Sequence, residues 1–340
     1  MNVLCFKVNQ LGDNVVYLPV AQWLGRVLPP GSVTIFTSPL AAPLYERCAP
    51  GVKVAVAPTD QFKSAWKHPR RLWGLYRQVS ATRPDACLIT HDQGNVAYLL
   101  ARMCRARFCV GAQVPHLKIN SWLSHRFPVA WDTPVPLQNW ALLREFLQTV
   151  GVGLEDFPES PPPPDLSGML EGVTRGAGGE VVIHPGASRE YQRWPIERYV
   201  ELANRLSLRR PVCWIQQKMP EEAALRPEIE QYVPDSLPAF VRKLGGAAFF
   251  IGNNSGPMHL ASALGVSGLV LIGPSTYNWD PFWHASQFTI LREPRLACQP
   301  CDHVTKPVDR CQNVETPMAC LRRWTVDEVH DAVWQRLQAS

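Results

Sequence analysis

FFIGNNSGPMHLASALG, at residues 249–265, carries the clearest strand–turn–helix pattern in this sequence. Its apolar start, Phe249-Phe250-Ile251, is typical of a short buried strand. Ser255 can cap the helix that follows, and Pro257 suits its first turn. A helix start attracts phosphate, because its first N–H groups have no partner and the macrodipole is positive there. The residues alone leave open whether this turn binds an anion or only joins two elements.

On both sides of this turn, short apolar runs alternate with helical patterns. The alternation predicts an α/β fold with parallel sheets that are covered on both faces. The stretch Ser160-Pro161-Pro162-Pro163-Pro164-Asp165 interrupts it and predicts a stiff linker. A length of 340 residues also favours two domains, which we place at 1–160 and 167–323. The predicted helices include residues 63–81, residues 221–232 and a final amphipathic helix, Val326–Leu337, capped by Thr325.

Composition and charge narrow the functional classes. The apolar fraction of 46% is ordinary for a globular protein, and no apolar run is long enough to span a membrane. The first residues lack the pattern of a signal peptide, so we expect a cytoplasmic protein. The net charge of +5 is mild, and no DNA-reading motif is present, which argues against a nucleic-acid partner. Such a charge suits a protein that handles anionic substrates at a membrane surface.

A second motif joins the predicted first strand to the first helix. Gly12 permits a sharp turn, and Asp13 falls near the helix start. An aspartate at this position commonly caps the helix. At the carboxyl end of a parallel strand, where ligands of such sheets bind, it could instead take the proton of an acceptor hydroxyl. Both interpretations of Asp13 stand at this point.

A third motif, HPGASREYQRWP at residues 184–195, follows a predicted strand and precedes a predicted helix. Its small residues let the backbone approach a ligand closely. Ser188 can donate a hydrogen bond to phosphate, and Arg189 and Arg193 add positive charge. The alternative is a solvated loop that covers a packed Trp194.

Basic and aromatic residues mix in a segment of the first half. The basic residues are Lys63, Lys67, Arg70 and Arg71, and the aromatic residues are Trp66 and Trp73. Lysine and arginine suit phosphates or carboxylates, so the segment is a candidate surface for an anionic acceptor. A solvated face is the alternative. His91, at the end of a predicted strand, could touch the same ligand or serve only the structure.

The ten cysteines fall into two groups. Six are scattered through predicted strands and helices and read as free thiols of a reducing compartment. The other four are clustered, at Cys298, Cys301, Cys311 and Cys320. Their C-x₂-C pair and two further thiols match the ligands of a structural Zn or Fe ion. We predict no catalytic metal, since no Asp-x-Asp pair is placed to hold Mg²⁺ on a diphosphate.

Taken together, the three motifs resemble glycosyltransferase family 9, the bacterial heptosyltransferases. The family usually has Gly-Asn-Asp-Ser-Gly-Pro-Met-His where this chain has residues 252–259. It usually has Pro-Gly-Ala-Ser, a short gap and Lys-Arg-Trp-Pro where this chain has residues 185–195. Asn254 replaces the acid of the first pattern, and Gln192 replaces a phosphate-binding lysine of the second. The resemblance spans almost the whole chain.

The resemblance implies a GT-B fold, with two Rossmann-like domains facing across a cleft and the last segment, 324–340, packing back on the N-terminal domain. It implies an inverting glycosyltransferase that needs no cofactor for catalysis. Asp13 would be the catalytic base. The donor-binding residues would be Ser188, Arg189, Gln192, Arg193, Glu222, Asn254, Ser255, Gly256 and His259. The acceptor-binding residues would be Lys63, Lys67, Arg70, Arg71 and His91.

The implied donor is ADP-heptose, and the implied acceptor is an anionic glycan or glycolipid such as lipopolysaccharide core, with peripheral contact at the inner membrane. Glu221 or Glu222 would hold the nucleotide ribose, although an exposed glutamate pair at a helix start reads equally well. Two alternatives stay open, and Gln192 and Asn254 favour the first. One is a family 9 scaffold with another nucleotide sugar or acceptor. The other is a non-catalytic protein that binds a sugar nucleotide or assembles with a partner.

Overall fold

The structure is a computed structural model of the 340-residue chain, and it describes residues 1–114, 118–174, 179–215, 224–303 and 308–339. The chain divides into two compact units, Met1–Gly168 and Met169–Ser340. The division falls just after the polyproline stretch, close to the predicted boundary. In the described part of the chain, no helix is both long and apolar enough to cross a bilayer.

The described residues of the first unit form a parallel sheet of six strands. The strands are β1 (Val3–Lys7), β2 (Val33–Thr37), β3 (Val52–Val56), β4 (Ala86–Ile89), β5 (Phe108–Gln113) and β6 (His125–Pro128). Their order across the sheet is β3-β2-β1-β4-β5-β6, so the direction of the winding reverses between β1 and β4. Sheets of this kind bind ligands beyond the carboxyl ends of the two strands at the reversal.

Helices cover this first sheet. They are α1 (Leu11–Val15), α2 (Leu18–Val27), α3 (Ala42–Cys48), α4 (Thr59–Ser64), α5 (Pro69–Ala81), α6 (Asn95–Cys104) and α7 (Val135–Thr149). One core cluster joins Phe6 and Phe36 of the strands to Phe62 of α4 and Leu75 of α5. The single helix predicted over residues 63–81 is α4 and α5 joined by a 3₁₀ turn at Ala65–Lys67. Pro69 explains the break, because proline lacks the N–H that a helix interior needs and fits a helix start.

The second unit repeats the arrangement. Its described residues form six parallel strands, β7 (Val181–His184), β8 (Val212–Ile215), β9 (Glu230–Tyr232), β10 (Phe249–Asn253), β11 (Gly268–Leu271) and β12 (Phe288–Leu291). The order is β12-β11-β10-β7-β8-β9, and the winding reverses between β7 and β10. The helices are α8 (Ile196–Ser207), α9 (Leu237–Gly245), α10 (Gly256–Leu264), α11 (Ala319–Arg322) and α12 (Val326–Ala339).

Helix α12 begins with a reciprocal cap. The Thr325 hydroxyl accepts a hydrogen bond from the Glu328 N–H at 3.2 Å, and the Glu328 carboxylate accepts one from the Thr325 N–H at 2.8 Å. The predicted cap is therefore confirmed. The family resemblance predicts that this helix packs on the N-terminal domain. In the structure its apolar residues, among them Val329 and Val333, lie in the core of the second unit, against α8, β11 and β12.

Two strands do not follow from the sequence pattern. β6 and β9 each lie at an edge of their sheet, and most of their residues are exposed or only half-buried. Because these two strands bury little apolar surface, they lack the apolar run that marks a buried strand. The helix predicted over residues 221–232 is wrong at 230–232, where the chain forms β9. Residues 221–223 of that prediction lie outside the described residues.

Candidate active site

In the first unit, two carboxylates meet where the winding of the sheet reverses. Asp13 lies in α1, shortly after the end of β1, and Asp92 follows the end of the neighbouring strand β4. The two side chains lie close enough for the charge of Asp92 to act on Asp13. Asp13 does not cap the helix: the N-cap residue of α1 is Gln10, and Asp13 lies within the first turn. The capping alternative for Asp13 is therefore wrong.

Asp92 is held as a buried anion. It forms an ion pair with Lys7, the last residue of β1, whose side chain is 0% exposed. Asp92 also accepts hydrogen bonds from the Asn9 amide at 2.8 Å, the Gln93 amide at 3.2 Å and the Thr90 hydroxyl. Burial alone would raise the pKa of Asp92, but Lys7 and these donors hold that pKa below its ordinary range. Asp92 is consequently ionised at neutral pH.

Asp13 has the opposite electrostatic environment. Burial raises the pKa of Asp13 to about 6, and the charge of Asp92 adds to the rise, while Lys7 and Lys63 oppose it. The side chain of Asp13 is still partly exposed, whereas Asp92 is surrounded by its donors. A carboxylate whose pKa lies near the working pH is a more effective proton acceptor than an ordinary one. Of the two, Asp13 is the group that can take a proton from an incoming ligand.

The backbone around Asp13 is fixed by its neighbour Asn14, which is fully buried. The Asn14 amide donates to the Gln10 carbonyl at 2.7 Å. Its oxygen accepts hydrogen bonds from Thr37 at 2.9 Å and from Tyr45 at 2.8 Å. These bonds tie the turn after β1 to β2 and α3, so the position of Asp13 is set by the fold.

The predicted acceptor-binding residues differ in what they contact. Lys63 is exposed and lowers the pKa of Asp13, so its ammonium group acts on the carboxylate pair. Lys67 packs over the ring of Trp66 at 5.1 Å, and Arg71 donates to the Ser64 hydroxyl at 2.9 Å. Arg70 is exposed.

His91, the remaining predicted acceptor residue, is buried beside the carboxylate pair. Its ring packs edge-on against Trp131, with 5.4 Å between centroids. Burial lowers the pKa of His91 to about 4, although the charge of Asp92 favours the protonated form. His91 is therefore an uncharged imidazole at neutral pH, and it cannot attract an acceptor by charge.

In the second unit, the reversal between β7 and β10 brings together the two motifs predicted to bind an anion. Asn253, the last residue of β10, joins them and is fully buried. Its amide donates to the Pro185 carbonyl at 2.7 Å, and its oxygen accepts from the Trp194 N–H at 2.9 Å. Both ends of the loop 185–194 are thus fastened to β10. A Cβ at Gly186 would lie 2.9 Å from the His184 ring, so this loop also needs a glycine there.

Helix α10 presents its N-terminus at this place. Ser255 is the N-cap residue, but its hydroxyl makes no cap hydrogen bond and lies 3.3 Å from the Asn253 carbonyl oxygen. The predicted Ser255 cap is therefore not formed. In the first turn Pro257 has no N–H, and the Met258 N–H donates to the Ser255 carbonyl at 3.1 Å, so Gly256 is the residue whose N–H the helix start can offer. The amide of Asn254 donates to the Trp279 carbonyl at 3.0 Å. An anion can bind this helix start through the Gly256 N–H and the positive end of the helix dipole.

The side chains of the loop 185–194 brace one another. The Ser188 hydroxyl lies 3.0 Å from the Gln192 amide oxygen. Arg193 donates twice to the Ala187 carbonyl, at 2.9 and 2.7 Å. Arg189 turns away, to an ion pair with Asp302 at 3.2 Å. Of the two arginines, Arg193 therefore contacts its own loop, whereas Arg189 contacts the segment that contains Asp302.

His259 lies in the first turns of α10 and is 4% exposed. Its ring packs edge-on against Trp279 at 5.9 Å. Burial lowers the pKa of His259 to about 4, so the ring is uncharged at neutral pH. It can offer an N–H to a bound anion but no positive charge. Glu222, the predicted ribose-binding residue, lies outside the described residues.

The comparisons with known proteins now decide the family. The model of glycosyltransferase family 9 (heptosyltransferase) matches residues 72–311, which is more than half of the chain. The chain belongs to glycosyltransferase family 9. It is accordingly a glycosyltransferase that uses a nucleotide sugar. A search of curated protein sequences gave no significant match.

Solved structures of family members share this fold over the whole chain. E. coli heptosyltransferase WaaC with ADP is 17% identical, with 99% of this chain and 100% of that chain covered and a TM-score of 0.70. E. coli ADP-heptose lps heptosyltransferase II is 18% identical, with 100% and 99% covered and a TM-score of 0.69. The predicted fold class, GT-B with two Rossmann-like domains, is confirmed.

One of the similar solved structures contains iron. TibC from enterotoxigenic E. coli H10407, an iron-containing dodecameric glycosyltransferase, is 17% identical, with 99% of this chain and 76% of that chain covered and a TM-score of 0.58. In the present structure the thiols of Cys298, Cys301, Cys311 and Cys320 lie close enough to influence one another electrostatically. The Met318 N–H donates to the Cys311 sulfur at 3.2 Å, as backbone N–H groups do at metal-bound thiolates.

The sulfur atoms of these four cysteines do not all lie within 4.8 Å of one another. Among the described residues, the group of potential ligands whose atoms all lie within 4.8 Å of one another is Glu180, Cys213 and Glu230. That group is filled by the Lys243 ammonium, 2.9 Å from Glu180 and 2.5 Å from Glu230, so it is an ion-pair cluster.

The donor set at the cysteine cluster still fits a structural Zn or Fe ion. We expect native protein to carry about one equivalent of either metal, since four thiols complete a tetrahedral site. Elemental analysis of the purified chain checks this, with Cys298→Ser and Cys301→Ser as the variants and Cys213→Ser as the matched control. Well below one equivalent in the native protein would remove the metal site.

Asn253 supports a further prediction. Asn253→Ala leaves the Trp194 N–H and the Pro185 carbonyl without their buried partner, and each such loss costs about 1–3 kcal/mol. We expect the free energy of unfolding in urea to fall by about 2–4 kcal/mol and the affinity for ADP to fall with it. Asn254→Ala is the control, because it removes one partly exposed hydrogen bond. Equal stability of the two variants would contradict the clamping role of Asn253.

Proposed function

We propose that this chain transfers heptose from ADP-heptose to a hydroxyl of an anionic bacterial glycan, with inversion at the anomeric carbon. The family supplies the reaction class, and the carboxylate pair Asp13–Asp92 is the observation that carries the mechanism. In a single displacement the acceptor hydroxyl needs a base, and the departing diphosphate needs positive potential. Each requirement has a counterpart at the reversal point of one unit.

The second unit would hold the donor. The diphosphate would lie against the N-terminus of α10 at Ser255 and Gly256, where N–H groups and the helix dipole favour negative charge. Ser188 and Gln192, in the loop after β7, would contact the same diphosphate, and Arg193 would add positive charge from that loop. These groups would stabilise the leaving ADP as the glycosidic bond breaks, which is the main electrostatic task of the reaction. The ribose would bind near Glu222.

The first unit would bind the acceptor and supply the base. Asp13 takes the proton of the acceptor hydroxyl, and the oxygen attacks the anomeric carbon from the face opposite the diphosphate. Lys63 would attract the anionic acceptor towards Asp13, and Lys67, Arg70 and Arg71 would contribute charge along the same segment. His91 would line this place as an uncharged wall. Asp92 and Lys7 take no part in the proton transfer; they set the charge that Asp13 experiences.

A transfer assay tests the proposal. Purified protein is incubated with ADP-heptose and lipopolysaccharide that lacks heptose, and the release of ADP and the mass of the acceptor are followed. We expect stoichiometric ADP release and addition of one heptosyl residue. ADP binding without any transfer, across a broad acceptor mixture, would favour a non-catalytic sugar-nucleotide-binding protein instead.

Gln192 favours a second candidate, a transferase that uses another nucleotide sugar. A neutral amide cannot offset leaving-group charge as the ammonium of the usual lysine does. A thermal-shift panel of ADP-, GDP- and UDP-sugars distinguishes the candidates. If a GDP- or UDP-sugar stabilises the protein and ADP-heptose does not, the donor in the proposal is wrong while the fold and the base remain.

The same residue gives a test of the phosphate position. Gln192→Lys places an ammonium group beside Ser188, and a charge-assisted hydrogen bond contributes about 1.5–3 kcal/mol. We expect ADP to bind about 10- to 100-fold more tightly, measured by calorimetry. Gln192→Met, of similar length without charge, is the control. Equal ADP affinities for the two variants would mean that the diphosphate lies elsewhere.

A further inference from the structure

A largely buried ion pair of the second unit has no role in the reaction described so far. Arg292 directly follows β12, an edge strand of the second sheet, and its side chain is 8% exposed. Its guanidinium donates two hydrogen bonds to the Asp280 carboxylate, at 2.6 and 2.9 Å. It also lies over the Tyr277 ring, 4.0 Å from the centroid. Paired bonds of this kind fix the orientation of both side chains, so Arg292 holds Asp280 in one arrangement.

The loop that contains Asp280 contacts the predicted donor-binding residues. Asp280 follows the 3₁₀ turn Tyr277–Trp279, in the loop after β11. The Trp279 carbonyl accepts the hydrogen bond of the Asn254 amide, and the Trp279 ring packs edge-on against His259. A carboxylate at position 254 would have no N–H to donate to this carbonyl. The loop therefore suits the amide that stands here in place of the family's usual acid.

These contacts connect the carboxyl ends of three neighbouring strands. The strands β12, β11 and β10 are adjacent and parallel, so their carboxyl ends lie at one edge of the sheet. Arg292 follows β12, Asp280 lies in the loop after β11, and Asn254 follows β10. Arg292 is thereby linked, through the loop after β11, to the turn that precedes α10.

We propose that Arg292 is a positioning residue for the nucleotide donor. It acts through Asp280 and Trp279. These two residues fix the Asn254 amide and the His259 ring beside the start of α10. The charge of the guanidinium is matched by the Asp280 carboxylate, so Arg292 acts through geometry and not as a phosphate ligand. The proposal rests on the proposed function, because it requires the donor to bind at this helix start.

Nucleotide affinity tests the positioning role. We expect Arg292→Met to weaken ADP binding about 2- to 30-fold, the usual effect of a residue that acts on a ligand through others. Arg292→Lys keeps the charge but cannot form the paired bonds, so it should lose nearly as much. Arg295→Met is the matched control, because the Arg295 side chain is 82% exposed and pairs with Glu293 instead. Calorimetric titration with ADP measures all four proteins, and the control should bind like the unaltered protein.

A double-mutant cycle distinguishes positioning from a general loss of structure. Asn254→Ala should cost less ADP affinity in the Arg292→Met background than in the unaltered protein, because the amide is no longer held in place. Equal costs in the two backgrounds would mean that Arg292 supports only the stability of the unit, and would overturn the proposal. Full recovery of ADP affinity by Arg292→Lys would also overturn it, because charge and not geometry would then be sufficient.

The Trp279 indole provides a readout that needs no nucleotide. In protein labelled with ¹⁵N at tryptophan, its N–H resonance can be assigned through Trp279→Phe. It should shift in Arg292→Lys and stay in place in Arg295→Met, and an unchanged resonance in Arg292→Lys would overturn the proposal. If the unaltered protein binds no ADP, the proposed donor fails and the role of Arg292 fails with it. If it binds ADP and Arg292→Met binds ADP equally well, the role of Arg292 alone is wrong.

Discussion

Asp13→Asn is expected to reduce kcat by about 10²- to 10⁴-fold while the affinity for ADP-heptose stays unchanged. The amide keeps the shape of the carboxylate but cannot accept a proton, and general base catalysis usually contributes a factor of this size. In the proposed mechanism the donor binds to the second unit, which this change does not touch. Initial rates at saturating substrate and calorimetric titration with ADP-heptose measure the two effects separately.

A matched control makes the Asp13 result specific. Asp60→Asn removes one carboxylate from the exposed first turn of α4, and it should leave kcat unchanged. If Asp13→Asn retained the full kcat, Asp13 would not be the base. If the variant lost affinity for ADP-heptose as well as rate, Asp13 would also contribute to donor binding. The loss of kcat alone would then not identify Asp13 as the base.

The pH profile should depend on the partner of Asp13. In the unaltered protein, kcat/KM should rise as the pH increases through about 6, because Asp13 accepts a proton only in its ionised form. Asp92→Asn removes a negative neighbour and leaves Lys7, so the pKa of Asp13 falls. The acid limb of the profile should then move to lower pH. On the plateau above that limb, kcat/KM of the variant should be lower than that of the unaltered protein, because a weaker base takes the proton less readily.

The same change should destabilise the protein. Removing one partner of a buried ion pair leaves an uncompensated charge and costs about 3–5 kcal/mol. We expect Asp92→Asn to lose about that much free energy of unfolding in urea, and the double variant Asp92→Asn with Lys7→Met to recover part of it. A coupling energy near zero between the two changes would show that Lys7 does not support Asp92.

The double variant also separates electrostatics from packing. With both charges gone, burial still raises the pKa of Asp13, so the acid limb should lie at higher pH than in Asp92→Asn alone. If the acid limb of kcat/KM lay at the same pH in the two variants, the charges of Lys7 and Asp92 would not control the pKa of Asp13. If the acid limb lay at the same pH in the unaltered protein and in every variant, a group other than Asp13 would be responsible for it.

Much of the fold follows from local pattern. The predicted strand at Phe249-Phe250-Ile251 is a continuous apolar run, and the structure has the buried strand β10 there. The helix cap at Thr325 was also visible, because Thr325 and Glu328 have the spacing of a capping box. The edge strands β6 and β9 were not visible, since their residues bury little apolar surface. Pro69 could have divided the helix predicted over residues 63–81, because proline favours a helix start.

The candidate site was only partly predictable. Asp13 and the turn at Asn254 lie in motifs, and each motif is continuous in sequence. Lys7 and Asp92 are 85 residues apart, and their ion pair exists only because β1 and β4 are neighbours in the sheet. Asn253 lies in the first motif, but its bonds to Pro185 and Trp194 span more than 50 residues. Pairings of this kind come from tertiary structure, so local patterns do not reveal them.

The anomeric configuration of the product tests the account most directly. A base at Asp13 and a diphosphate bound on the opposite side of the sugar allow only a single displacement. Transfer from ADP-heptose to heptose-free lipopolysaccharide, followed by measurement of the one-bond carbon–proton coupling at the new anomeric centre, gives the configuration. The account predicts the configuration opposite to that of the donor. Retention of the donor's configuration would require a covalent sugar–enzyme intermediate or another two-step route, and it would contradict the role given to Asp13.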